Sequence, residues 1–277
     1  MENHNSTDET KHEALEVFET AAGHYATERE KLPYFRSQLA IAQSMLQGNT
    51  GCVLDIGCAA GSEILRLRDW GFRVVGMDFS SQMLNFARRR FAADPDVHLC
   101  RADIERLPFA HESLDHVVCL GVFEFLPDYG PALREIHRVL RPGGVALFAI
   151  PSAISLFELT ERAVDFTIRP LWRAAKRVLL GRAVTGSRFP RNLCVPWRYR
   201  SLLRQHSFEP ERSAYSNFFL YGLDRFPNLN IRVTAALEPL RSIPLVRCAA
   251  SVYMVSARKK VPSEPACSAS KRAGLAG

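Results

Sequence analysis

"VLDIGCAAGSE", residues 53–63, sets an apolar run against two acids, two glycines and two alanines within eleven positions. A strand that ends at Asp55-Ile56-Gly57 and turns through Gly61 into a helix presents backbone N–H groups at the carboxyl edge of a sheet. A tight βα turn whose glycines serve packing alone has the same appearance, so the flanking chain must decide. Outward from this stretch the hydrophobic period alternates. CVLDI (52–56) reads as a buried strand, 60–70 as an amphipathic helix closed by Gly71, and FRVVGM (72–77) as a second strand.

The alternation continues with a helix over 81–93, strands over 97–101 and 114–120, a helix over 130–140, the turn RPGG at 141–144 and a strand over 145–150. Strands that alternate with helices need right-handed crossovers and make a mostly parallel sheet covered on both faces. Two late β-rich stretches, 215–221 and 250–257, are expected to complete it as an antiparallel edge. The predicted fold is therefore α/β, a Rossmann-like doubly wound sheet of seven strands with N-terminal helices and a helical insertion or lid. Expected boundaries are an N-terminal helical cap over 1–49, divided at Pro33 and ended at Gly48, a core over 50–152, a basic insertion over 153–212, the end of the sheet over 213–260, and a disordered tail over 261–277.

The chain has 277 residues, 47% hydrophobic and 23% charged, the composition of an ordinary globular protein. Its polar, acidic N-terminus lacks the apolar core of a secretory signal, and no run of 18 apolar residues occurs, so a cytoplasmic protein is expected. Seven scattered cysteines without a C-x-x-C pair argue against a disulfide framework and against a metal site. The net charge of +7 is local: residues 151–212 hold 12 Lys and Arg against 5 acids, and the rest of the chain balances. Between Phe166 and Arg200 lie nine Lys or Arg and no acid, with Leu171, Trp172, Val178 and Leu179 on one helical face and Arg173, Lys176 and Arg177 opposite. That segment reads either as a solvated helix or as a lid touching an anionic membrane or an acidic, lipid-linked acceptor. RNA is a weaker reading, because no RNA-binding module is recognisable, and no DNA contact is expected.

Three acids close three successive strands: Asp55, Asp78 and Asp103. A dinucleotide fingerprint would need glycines at 57, 59 and 62, and the chain offers Gly57, Ala59 and Ser62. Asp78, about 20 residues beyond the loop, is placed to accept both hydroxyls of a ribose, and Asp103 to accept from an adenine amino group. Together they describe an adenosine-shaped site. VLDIGCAAG, VVGMDFSSQML, ADIERLPF, DHVVCLGVFEFLPD and ALREIHRVLRPGGVALFAIP, in that order over residues 50–152, resemble the successive motifs of class I S-adenosylmethionine-dependent methyltransferases, in particular the small-molecule methyltransferase type 11 group.

The resemblance implies S-adenosyl-L-methionine as cofactor. It places the loop Asp55, Gly57, Cys58, Ala59 and Gly61 around the methionine part and Asp78 on the ribose. Phe79 and Met83 would flank the adenine, Asp103 and Ile104 would read its edge, and Leu120-Gly121 would offer backbone near the sulfonium. Tyr25 and Arg29 of the N-terminal cap would contact ribose or carboxylate. Two departures stand out: Ala59 replaces the loop's middle glycine, which suits a negative φ, and Phe125 stands where many relatives carry histidine. No catalytic base is evident from the sequence; methyl transfer from an activated sulfonium leaves one optional. The acceptor is expected to be a small molecule or lipid-linked. A non-catalytic assembly role and RNA methylation are the alternatives, while a dehydrogenase is disfavoured by the lack of any Tyr-x-x-x-Lys pair.

Overall fold

The computed structural model describes residues 33–160, 192–218 and 250–261, with further positions at 15, 16, 18–20, 22, 23, 29–31, 162, 163 and 166 and a few between 229 and 247. Tyr25 and the expected basic helix around 171–179 lie outside the described residues.

A helix α1 (Pro33–Leu46) precedes β1 (Cys52–Ile56), α2 (Ser62–Asp69), β2 (Arg73–Asp78), α3 (Ser81–Arg90), β3 (Val97–Arg101), β4 (Leu114–Leu120), α4 (Gly130–Val139) and β5 (Leu140–Pro151). A helix α5 (156–160), then α6 (Pro196–Gln205), β6 (Phe208–Ser216) and β7 (Val252–Lys259) follow. The seven strands form one sheet in the order β3-β2-β1-β4-β5-β7-β6, with β7 antiparallel to both its neighbours and the other pairs parallel. The strand order reverses between β1 and β4, so the carboxyl ends of these two strands diverge and leave a crevice.

The alternation of side chains along β5 divides the core. Ala146, Phe148 and Ile150 pack with Leu133 and Ile136 of α4 and Tyr199 and Leu203 of α6 on one face. Val145, Leu147 and Ala149 pack with Ile41 and Met45 of α1, Ile64 of α2 and Leu84 of α3 on the other. Phe148 sits at the centre of an aromatic group, its ring edge-on to Phe123, Tyr199 and Phe208 at centroid distances of 5.2, 5.9 and 6.3 Å.

The elements over 52–151 fall where the hydrophobic period puts them, to within two residues, except that α3 ends at Arg90, three residues before the expected 93, and β5 begins at Leu140 and runs through RPGG instead of following a turn there. The end of the sheet differs more. β6 begins at Phe208, seven residues before the β-rich stretch that the sequence suggests, and α6 packs on the sheet through Tyr199 and Leu203, so the last part of the expected insertion belongs to the core. In FEPERSAYS only Phe208, Pro210 and Ser216 are buried. A strand at the sheet's edge with one hydrogen-bonding side free tolerates proline and charge, which hides it from a search for apolar alternation.

Replacing Phe148, which is fully buried, with Ala is expected to destabilise the protein by about 3–5 kcal/mol. Urea unfolding checks this, and a loss below about 1 kcal/mol would show that the aromatic group collapses around the gap.

Candidate active site

The stretch 57–61 keeps three residues in the left-handed region: Gly57 at φ +76°, Ala59 at +45° and Gly61 at +87°. Ala59 therefore departs from the negative φ expected of it, a conformation that costs a residue with a Cβ roughly 1–2 kcal/mol. Its backbone N–H donates to Asp78 Oδ2 at 2.9 Å, which fastens the loop in that shape. Gly57 N and Cys58 N both donate to Met77 O, at 2.7 and 3.0 Å, so the loop is tied to the end of β2 at three points. The glycines answer to close neighbours: a Cβ on Gly57 would stand 2.3 Å from Val122 Cγ2, and one on Gly61 would stand 2.4 Å from the Phe91 ring. Gly61 thus serves the packing of α2 against the end of α3, and a larger residue there would strike Phe91 before it met any ligand.

A cleft enclosing about 870 Å³ of empty space, its open mouth included, lies across the carboxyl ends of β1, β2, β3 and β4. Nine of the residues singled out in the sequence line it: Gly57, Ala59, Asp78, Phe79, Met83, Asp103, Ile104, Leu120 and Gly121. Asp78 accepts from Ala59 N and, through Oδ1, from Ser80 N at 2.8 Å. Burial pushes its carboxyl above the ordinary value, and the backbone N–H groups of Ser80, Ala59 and Phe79 oppose that rise. Each oxygen keeps a second lone pair. Phe79 is 40% exposed at the mouth, with the Arg101 guanidinium 5.8 Å from its ring and Arg101 Nε donating to Phe79 O. Asp103 Oδ1 accepts from Glu105 N at 3.0 Å, which orients it beside Ile104.

Three of the expected residues stand behind the wall. Cys58 is fully buried and faces the strand, where its sulfur stands 3.1 Å from the Cβ position of Gly76. Gly61 packs as described. Asp55 is 1% exposed, and its Oδ2 has no hydrogen-bond partner among the described residues. Burial raises the Asp55 carboxyl well above its ordinary value; the nearby Glu63 carboxylate adds to the rise and Arg29 counters it. Arg29 does not line the cleft either. It forms a buried ion pair with Glu63 and lies 5.0 Å from the Phe35 ring.

Residues not singled out as site residues in the sequence complete the enclosure. Leu15 and Phe18 form part of the wall, and Phe18 meets Phe125 edge-on at 5.3 Å. Ala22 packs against Ala59 and Met83. Val122, Phe125 and Leu126 line the end beside Gly121. Phe18 does carry a sequence signal, since it belongs to a helical apolar spacing with Leu15 and Ala22; Glu63 carries none, because its role depends on where Arg29 arrives.

The polar groups of the cleft are acids at strand ends, which accept hydroxyls and cations, set between apolar walls. Residues 54–148 match the methyltransferase domain family. Over those residues the chain is similar to a methyltransferase domain. It is 38% identical over 151 residues to the malonyl-[acyl-carrier protein] O-methyltransferase of Enterobacter lignolyticus strain SCF1, covering 54% of this chain and 58% of that protein. The chain spans about half the length of the curated relatives it matches. Among solved structures, the S-adenosylmethionine-dependent methyltransferase of Thermotoga maritima superposes with a TM-score of 0.58 at 18% identity, covering 89% of this chain and 99% of that one. That of Mesorhizobium loti gives 0.55 at 18% identity, covering 80% and 97%. These two likenesses concern the fold.

The cleft suits S-adenosyl-L-methionine on one point of this structure: a buried carboxyl oxygen without a hydrogen-bond partner among the described residues, on Asp55, stands at the loop that the resemblance wraps around the methionine part, whose ammonium is a cation. A carboxyl whose folded pKa lies above its unfolded value of about 3.9 stabilises the fold below that pH, and the contribution is lost as pH rises through the folded pKa. Asp55→Asn is therefore expected to raise the Tm of the ligand-free protein at pH 8 relative to pH 4, while weakening S-adenosylhomocysteine binding about tenfold or more. Scanning calorimetry at both pH values, with titration of the ligand, checks this. Equal Tm differences at the two pH values would show that Asp55 is ionised at no cost in the folded protein.

Proposed function

We propose that the protein transfers the methyl group of S-adenosyl-L-methionine to a carboxylate oxygen of a small acid borne on a carrier or a lipid. The reading rests on one observation: the end of the cleft beside Leu120-Gly121 is walled by the apolar side chains of Leu15, Phe18, Val122, Phe125 and Leu126, with no histidine among the described residues that line it. When bound, S-adenosyl-L-methionine supplies a methyl group already activated on a sulfonium. A carboxylate acceptor arrives ionised and needs no base, and an apolar wall strips it of water that would shield the attacking oxygen. Relatives named malonyl-[acyl-carrier protein] O-methyltransferases support this acceptor class.

In this reading Asp78 accepts the ribose hydroxyls with the lone pairs that Ala59 and Ser80 leave free. Phe79 and Met83 hold the two faces of the adenine, and Asp103 with Ile104 meets its edge. Gly57 and Ala59 border the methionine end, and the Asp55 carboxyl, behind them at the end of β1, acts on its positive charge through the wall. Arg29, turned to Glu63, holds the N-terminal cap against α2. Gly121, at φ +76°, carries no side chain, so the cleft beside Leu120 would leave room for the sulfonium.

A hydroxyl acceptor is the second reading, because Glu124 Oε2 stands 3.9 Å from the Cβ position of Gly121 and a high-pKa hydroxyl needs such a base. Labelled S-adenosyl-L-methionine and a malonyl thioester are expected to give a product that releases labelled methanol in alkali, the mark of a methyl ester. Asp78→Ala should raise the KM for the cofactor about ten- to a hundredfold, the value of roughly 1.5–3 kcal/mol for a charged hydrogen-bond acceptor. Glu124→Gln should keep kcat for the thioester within about threefold, well below the 10²–10⁴-fold that general-base catalysis supplies. An alkali-stable product overturns the carboxylate reading, and a hundredfold loss with Glu124→Gln installs the base-assisted one.

A further inference from the structure

The methyl-transfer reading uses Glu63 only as the partner of Arg29, yet Glu63 is 2% exposed, almost as deeply buried as Asp55 at 1%. It stands in the first turn of α2, and residues 57–61 carry the chain there from the end of β1, where Asp55 lies. Each acid keeps one oxygen, Asp55 Oδ2 and Glu63 Oε2, sealed from water and without a hydrogen-bond partner among the described residues. The other Glu63 oxygen is held by Arg29, whose guanidinium also acts on Asp55. Two buried carboxyls therefore share the charge of this guanidinium.

The charged groups acting on Asp55 are Glu63 of α2 and Asp78 of β2, which oppose its ionised form, and Arg29, which favours it. Around them burial raises the Tyr34 phenol at the head of α1, the Cys58 thiol of the loop and the Cys119 thiol of β4, so these three stay neutral at ordinary pH. Glu124, beyond β4, acts on Tyr34 and Cys119. If Asp55, Glu63 and Asp78 were all ionised, three anions would crowd one guanidinium in a region closed to water. Asp78 has the backbone N–H groups of Ser80, Ala59 and Phe79. Glu63 has Arg29 and the positive end of its own helix. Asp55 Oδ2 has no such partner, and a buried carboxyl beside a carboxylate keeps its proton until a cation arrives.

We propose that Asp55, held beside Glu63, carries a proton in the ligand-free protein and gives it up to solvent when the ammonium of the cofactor enters, so that cofactor affinity rises with pH. Glu63 is then a positioning residue: by engaging Arg29 it denies Asp55 a full counter-charge and leaves that role to the ligand. The proposal rests on S-adenosyl-L-methionine as cofactor and adds a proton to its binding equilibrium. The proton on Asp55 leaves as the ligand's charge replaces it, so neither an oxidant nor a second reactant is involved.

Titration calorimetry of the full-length protein with S-adenosylhomocysteine at about pH 6, in phosphate, MES and Bis-Tris, is the test, because these buffers differ in ionisation enthalpy. Binding is expected to grow more exothermic from phosphate to Bis-Tris, by the amount that about half a proton or more released per ligand requires, and affinity is expected to rise by up to about tenfold per pH unit above pH 5. No histidine is among the described residues that line the cleft, so a proton released at this pH points to the acids. 5′-Methylthioadenosine, which has the nucleoside but no ammonium, is expected to bind with the same heat in every buffer. Asp55→Asn should abolish the buffer dependence, and Glu63→Gln should lower it at least about twofold, because Arg29 is then free to ionise Asp55 before the ligand arrives. Equal heats for S-adenosylhomocysteine in the three buffers overturn the proposal alone. So does a release that persists in folded Asp55→Asn, or one that 5′-methylthioadenosine reproduces. A protein that binds no S-adenosylhomocysteine at any pH overturns the cofactor reading, and this proposal with it.

Discussion

Two backbone N–H groups, of Ala59 and Ser80, converge on the carboxylate of Asp78, and the geometry of the cleft depends on that convergence. The first belongs to the loop after β1 and the second to the N-cap of α3, so one side chain at the end of β2 fixes two turns that would otherwise be free to choose their shapes. It holds Ala59 in a left-handed conformation that its Cβ opposes, and strain of that kind persists where surrounding structure over-determines it. The price is paid in desolvation: Asp78 is buried enough that its carboxyl resists ionisation, and the N–H groups offset part of that cost. A group that serves as both structural anchor and ligand acceptor keeps its lone pairs aimed without reorganisation when a ligand arrives.

Asp55 shows the opposite arrangement. It lies on the strand's buried side with an oxygen that nothing described satisfies, next to Glu63 and within the field of Arg29. Left alone, such a group weakens the fold, because burial of an unpaired charge costs more than most single contacts return. Its placement at the carboxyl edge of the central strand is where a cation would relieve it. The Arg29 to Glu63 pair acts in the same region from the other direction, bringing the N-terminal segment down onto α2 with both side chains largely shielded from water. The roof over the cleft and the loop beneath it are thus coupled by charge, and Phe18 against Phe125 couples them by packing.

At the far end of the cleft the character changes from acidic to apolar. Phe125 turns its ring to Phe18 and offers no proton acceptor. The chemistry that such a wall favours is one in which the acceptor brings its own charge.

The local period of the sequence determined β1 to β5, the helices between them and the order of the motifs, because buried parallel strands and amphipathic helices write their environment into each few residues. It also placed Gly57, Asp78 and Asp103 at one edge, since strands that alternate with helices all end there, and the resemblance to methyltransferases added Phe79, Met83, Ile104, Leu120 and Gly121. Other features were decided only in three dimensions. Ala59 took a positive φ because Asp78 and Met77 arrive from another strand, and a single-residue preference cannot foresee that bond. Gly61 met the ring of Phe91, thirty residues away, Asp55 fell behind the wall because a strand's side chains alternate and only one of its sides faces the crevice, and Cys58 because its sulfur turns to Gly76 of β2. β6 escaped notice because an edge strand needs little apolar surface to be held, and Glu63 acquired its partner only when the cap folded back across α2. Adjacent residues follow local sterics, which a sequence displays. Partners brought together by the sheet's crossovers follow the packing of the whole chain, which appears only in the folded structure.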